Sequence, residues 1–172
     1  MLNKDLIEIG AELSGRDETL DRLIELQGGG IRDSLTLSRE LRESNTDRGG
    51  AVSFRVAIPS VRHKGASATG ISAVTLKEDV DFGARDKRGI RLAFLISGKD
   101  DSDEYIEVKA RLMHLLMDTE FTARLCAARS KDEFLSLIEQ REQYRYAPPK
   151  PEKRWDCTRF ITEPKRKRFW KR

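Results

Sequence analysis

Histidine, cysteine and aromatic side chains are scarce in this sequence, and each scarcity removes a class of function. The two cysteines, Cys126 and Cys157, have no CxxC spacing and no neighbouring histidine cluster, so no metal site is expected. A disulfide between them would be out of place in a reducing compartment. Cys126, in the helical stretch RLCAA, reads as a small buried apolar residue. Long apolar runs are also missing: none approaches the ~20 residues that a membrane helix needs. The start, MLNKDLIEIG, lacks a basic n-region, an apolar core and a small-residue cleavage site, so a cytoplasmic location is expected. The glycine-rich stretches at 28–30 and 49–50 are not followed by GK[ST], and no GxGxxG opens a helix, so no nucleotide cradle is predicted. Asp100 and Asp101 read as turn and cap residues. No cofactor and no tightly bound small molecule is expected.

Charge is what the chain has in abundance. Of its 172 residues, 36% are charged and 38% apolar, with a net charge of +4. The balance is uneven. Residues 141–172 carry twelve Lys/Arg against four Asp/Glu, whereas the preceding 140 residues carry 21 against 25. A mildly acidic body therefore bears a strongly basic tail.

The body is long enough to bury one core. Residues 6–13 read as a first strand. In 16–26, Leu20, Leu23, Ile24 and Leu26 recur at helical spacing, and the glycines at 28–30 end that helix. Asp33 is placed to cap a helix over 34–43. Three strands follow, at 52–58, 70–77 and 90–97, separated by Gly-, Lys- and Asp-bearing turns. The last is almost continuously apolar, which predicts a central strand buried on both faces. A long helix is expected after 98–103, capped by Asp101 with Glu104, with Ile106, Leu112, Met113, Leu115 and Leu116 as its apolar positions. A further helix covers TEFTARLCAA, and Ser130 with Glu133 forms a capping box for the last one. Strands flanked by helices predict an α/β fold: one layered domain over 1–146, with a mixed sheet. Pro149 and Pro151 stiffen the start of the 147–172 linker and tail.

One short stretch invites a chemical question. In FRVAIPSVRHKG, 54–65, a strand from Phe54 to Ile58 runs into a turn at Pro59 and then a polar, basic loop. Sheet rims of this kind often carry chemistry, and here the residue after the proline is Ser60, with His63 three positions on.

The order of LRESNT (41–46), VAIPS (56–60), DVDFGARDKRGIRLAFLISG (79–98) and LCAARSKDEFLSLI (125–138) resembles the fructose/mannitol and nitrogen-regulatory (type 2) enzyme IIA domains of the phosphoenolpyruvate-dependent sugar phosphotransferase system. The resemblance spans residues 5–140. It implies that the residue after the proline is the histidine that takes phosphate from a small phosphocarrier and passes it to a partner; here it is Ser60. The family's second active-site histidine opens the long helix, and its counterpart here is Tyr105. Arg42, Glu43 and Thr46 remain of the family's polar pocket, and the loop between Arg42 and Pro59 is longer than the family pattern. Onward transfer needs a nitrogen nucleophile such as imidazole. A serine hydroxyl needs an adjacent base, and its phosphate ester does not hand the group on. The expectation is therefore a phosphotransferase-type fold without its acceptor: not an enzyme, but a regulatory protein that binds phosphotransferase components or a regulated transporter or kinase.

The alternative is an active phosphocarrier with a relocated histidine, His63 or His114. Against it, His63 is displaced by several ångströms where transfer tolerates about 1 Å, and it reads as a solvated loop residue. His114 reads as a helix-surface or partly buried residue. The tail, with Trp155, Arg159, Phe160, Lys165, Arg166, Lys167, Arg168, Phe169 and Trp170, interleaves cations and aromatics. That composition suits an acidic protein groove, single-stranded nucleic acid or an anionic membrane surface.

Overall fold

In a computed structural model, residues 2–28, 33–44, 51–52, 55–63, 66, 68–83, 88–99 and 102–146 are described. The basic tail, Thr46, Asp100 and Asp101 lie outside them. A 3₁₀ turn at Lys4–Leu6 leads into β1 (Ile7–Ala11), then α1 (Arg16–Gln27), α2 (Ser34–Ser44), β2 (Ala51–Val52), β3 (Val56–Ala57), β4 (Ser60–Arg62), β5 (Gly70–Val80), β6 (Ile90–Gly98), α3 (Asp103–Leu116), α4 (Thr119–Ala127) and α5 (Lys131–Tyr146). The sheet order is β1-β5-β6-β3-β2, and β4 lies beside β6 beyond β3. β6 runs antiparallel to β5 and parallel to β3 and β4, so the sheet is mixed.

β6 sits at the centre because its side chains are apolar on both faces. Leu92, Phe94 and Ile96 enter the core beneath α3, α4 and α5, while Ala93 and Leu95 enter the core beneath α1 and α2. This alternation is the period of two of an extended strand. Each large side chain removed from water contributes about 1.5–3 kcal/mol. The result is a three-layer α/β/α domain, the layered architecture expected from the alternation of strands and helices.

Three local expectations are corrected. Residues 52–58 are not one strand: β2 and β3 pair antiparallel with each other, and Arg55 between them has a left-handed backbone, φ 66°. The segment after Pro59 is not a loop. Ser60–Arg62 forms β4, held in register with Ile96, Ser97 and Gly98, because Val61 supplies a core side chain between two outward polar ones. The long helix starts at Asp103 with Ser102 at its N-cap. Its buried stripe is Tyr105, Val108, Leu112, Leu115 and Leu116, whereas Ile106 and Met113 are 53% and 41% exposed.

Two of the caps read from sequence form, at Asp33 and Ser130. Asp33 Oδ1 accepts from the Thr36 amide at 3.0 Å. Ser130 Oγ accepts from the Glu133 amide at 3.1 Å, but the return bond from Glu133 goes to the Arg129 amide, 2.9 Å, one residue earlier than a capping box requires. A buried polar bridge ties α1 to the sheet: Gln27 Nε2 donates to Ser72 Oγ and to the Leu95 carbonyl, and Ser97 Oγ donates back to Gln27 Oε1. No described helix is long and apolar enough to cross a membrane.

Candidate functional site

β4 and the first turns of α3 meet at the carboxyl end of β6. On a strand, Ser60 and Arg62 share one face and Val61 takes the other; on a helix, Tyr105 and Lys109 are one turn apart on one side. The two pairs interlock. Lys109 Nζ donates to Ser60 Oγ at 2.8 Å. The Arg62 guanidinium lies over the Tyr105 ring, 5.2 Å from its centroid. Tyr105 is 6% exposed and belongs to the core beneath α3. Gly98 makes this approach possible: a Cβ there would lie 2.6 Å from Tyr105 Cδ2 and 2.9 Å from Tyr105 Cβ.

The structure thus brings Ser60 and Tyr105 to one interface. Arg62 and Lys109, the cations that complete it, were not singled out from sequence. The signal was present in the i, i+2 spacing of Ser60 and Arg62 and the i, i+4 spacing of Tyr105 and Lys109, but it acquires meaning only once β4 is known to be a strand.

Arg42 and Glu43 stand elsewhere. They line a groove between α1 and α2, with Asp21, Glu25, Leu35 and Arg39. Arg42 Nη2 donates to both carboxylate oxygens of Asp21, at 2.9 and 2.7 Å, which anchors it to the helix layer opposite α3.

The two histidines take different positions. His63 was expected to be solvated and is instead 7% exposed. Its amide donates to the Gly98 carbonyl at 2.8 Å, which extends the β4 ladder by one residue. Its Nδ1 lies 2.9 Å from Glu40 Oε2 on α2. A carboxylate only accepts, so Nδ1 carries the proton, and Nε2 is buried without a hydrogen-bond partner. The correction has a simple cause: continuing the strand past Arg62 turns residue 63 toward α2, the side Val61 already faces. His114 is exposed on the last turn of α3, nine residues beyond Tyr105 and so about 180° around the helix.

Chemically, the β4–α3 site offers an ammonium, a guanidinium and a hydroxyl, a set that attracts an anionic group. It offers no proton acceptor to Ser60, because among the described residues its hydroxyl is bonded to an ammonium. A carboxylate or imidazole would be needed there to raise its nucleophilicity.

The domain matches a family model described as "Phosphoenolpyruvate-dependent sugar phosphotransferase system, EIIA 2" over residues 1–141. No curated protein matches by sequence. Among solved structures, the nitrogen regulatory protein IIA-Ntr of Neisseria meningitidis is similar at 20% identity and a TM-score of 0.67, covering 79% of this chain and 94% of that one. The IIA mannitol protein of Escherichia coli is similar at 22% identity and a TM-score of 0.69, covering 80% and 99%. The same bacterium's IIA mannitol enzyme in complex with phosphorylated IIB mannitol gives 22% identity and a TM-score of 0.71, covering 81% and 98%. At these identities the structural likeness speaks for the fold, and the family model for membership. The chain belongs to the type 2 EIIA family of the phosphoenolpyruvate-dependent sugar phosphotransferase system.

Proposed function

We propose that this chain is a cytoplasmic regulatory member of its family that binds a protein partner and does not relay phosphate. The observation that carries this reading is the 2.8 Å bond from Lys109 Nζ to Ser60 Oγ. Ser60 follows the proline where the family pattern has its acceptor histidine, and its hydroxyl is held by a group with no lone pair to take a proton. Tyr105 fills the second-histidine position and is buried under Arg62. His63 does not fill the gap, since it is turned to the other face of β4 and tied to Glu40.

The same groups suggest the partner's chemistry. Arg62 and Lys109 favour an acidic or phosphorylated side chain, in a phosphotransferase component or in a regulated transporter or kinase. The complex of the mannitol IIA enzyme with phosphorylated IIB is a precedent for such docking. The cations and aromatics of 153–172 would add to the attraction.

The test is phosphate uptake. Incubated with phosphoenolpyruvate and the general phosphotransferase proteins, the unmodified protein is expected to acquire no acid-labile phosphate. Labelling that appears with Ser60→His plus Tyr105→His would support the reading of an altered pocket. Stoichiometric phosphorylation of the unmodified protein, lost on His63→Ala or His114→Ala, would show a working relay and overturn it.

A further inference from the structure

A second cavity, of about 450 Å³, lies at the opposite end of β6 from Ser60. Arg91, at the start of β6, and Gly98, at its end, are seven residues apart, roughly 23 Å along a strand. Arg55, Arg88 and Arg91 line one wall of the cavity, and Thr119, Thr122 and Cys126 of α4 line the other.

The arginine wall is built rather than incidental. Arg55 has a left-handed backbone, φ 66°, a conformation that a side chain other than glycine rarely adopts and that often marks a functional position. In it, the Arg55 carbonyl accepts from the amides of Arg91, 2.9 Å, and Leu92, 3.2 Å, so two of the three arginines are fixed to each other through the backbone. Asp79 of β5 pairs with the Arg55 guanidinium and lies 3.7 Å from Arg91 Nη1. Residue 89 is glycine, and a Cβ there would lie 2.5 Å from Asp79 Cβ, so a side chain at 89 would force Asp79 or its neighbour to shift. One carboxylate thus orients two guanidiniums and neutralises only one of them. Arg88 also lines this wall.

We infer that this cavity binds a small phosphorylated molecule. Guanidiniums present planar forks that match phosphate oxygens two at a time, and a shared carboxylate holds those forks in place before a ligand arrives. The volume falls within the ~300–1,000 Å³ of small-ligand sites. The α4 end of the cavity does not supply the charge recognition, because Asp118 already caps that helix through the Phe121 amide. The selectivity lies in the arginines. The site is independent of Ser60 and Lys109, and of whether the family's phosphate relay is intact.

Cys126 is a reporter already in place. Burial pushes its thiol up, with Arg55 and Arg91 pulling the other way, so alkylation under mildly alkaline conditions reads access to the cavity. The full chain would be titrated calorimetrically with inorganic pyrophosphate. In parallel, iodoacetamide labelling of Cys126 and Cys157 would be followed by peptide mass mapping, with Cys157 as the internal reference. Saturable binding is expected, with Cys126 labelling slowed several-fold relative to Cys157. Arg91→Gln should weaken binding about tenfold, the scale of one charge-assisted contact. Absence of saturable binding overturns the inference. So does pyrophosphate binding that leaves Cys126 labelling unchanged, since that would place the anion elsewhere, for instance on the basic tail. The Cys126 measurement needs no variant, so it decides the matter even if Arg91→Gln does not fold.

Discussion

The two faces of the three-residue strand β4 show how adjacent residues are given opposite fates. Ser60 and Arg62 face α3, where Lys109 and Tyr105 meet them in a partly open, cationic interface. Val61 and the following His63 face the α1–α2 layer, where Val61 joins the core and His63 is buried against Glu40. Sequence proximity would make Ser60 and His63 a pair. The pleat separates them, since one more residue along a strand points a side chain to the other face. A hydroxyl on the partly open face can meet a partner, whereas an imidazole on the buried face is a structural connector. The lesson concerns polar groups in general: their role follows from the layer they face more than from their neighbours in the chain.

This contrast can be broken most severely on the α3 face. Tyr105→Ala removes a buried ring that packs on Gly98 and supports Arg62, and it should destabilise the domain by about 3 kcal/mol, the low end for truncating a buried aromatic. A urea midpoint unchanged from the parent would mean that Tyr105 does not hold α3 to the sheet. The α2 face should respond less. Glu40→Ala leaves the buried Nδ1–H of His63 without its acceptor, which costs about 1–2 kcal/mol. Lys109→Ala, at the partly open interface, should cost no more than about 0.5 kcal/mol. If Lys109→Ala proved the costlier of the two in urea denaturation, the assignment of a structural role to one face and a binding role to the other would be reversed.

The smallest effect sharpens the comparison at the helix caps of the two layers. The Asp33 carboxyl, capping α2, is held below the usual carboxylate range by hydrogen bonds from the Thr36 hydroxyl and amide. The Asp118 carboxyl, capping α4, is lowered chiefly by the Phe121 amide, with Arg141 adding to it. A carboxylate whose pKa is lower in the folded than in the unfolded chain stabilises the fold above its unfolded value of about 3.9, and that contribution fades as pH falls through the folded value. The stability difference between the parent and Asp33→Asn should therefore be constant near neutrality and shrink below about pH 4. The same profile is expected for Asp118→Asn. A difference that grows on acidification would show that these carboxylates are not the capping species.

Much of the architecture was legible before any coordinates. The helix over 16–26 was readable because Leu20, Leu23 and Ile24 recur at the helical period. The buried central strand was readable because Leu92 to Ile96 leaves no face for water, and the caps at Asp33 and Ser130 because they are local and depend on a few adjacent bonds. What misled was equally physical. A strand-like segment over 52–58, rich in Val, Phe and Ile, hides a reversal, since composition says nothing about a residue such as Arg55 that takes a left-handed backbone. Ile106 and Met113 have the right chemistry for a core, but their angle around α3 sends them to solvent.

By itself, then, the sequence determined which segments are helices, which strand is central and that a serine follows Pro59, because these depend on local bonds and on the count of apolar side chains per turn or per pleat. Only the tertiary structure decided that Ser60 meets Lys109, that His63 belongs to Glu40 and that Arg55 and Arg91 share Asp79. Those partners lie 49, 23, 24 and 12 residues apart, and it is the stacking of two helical layers on one twisted sheet, driven by burial of both its faces, that brings them within reach.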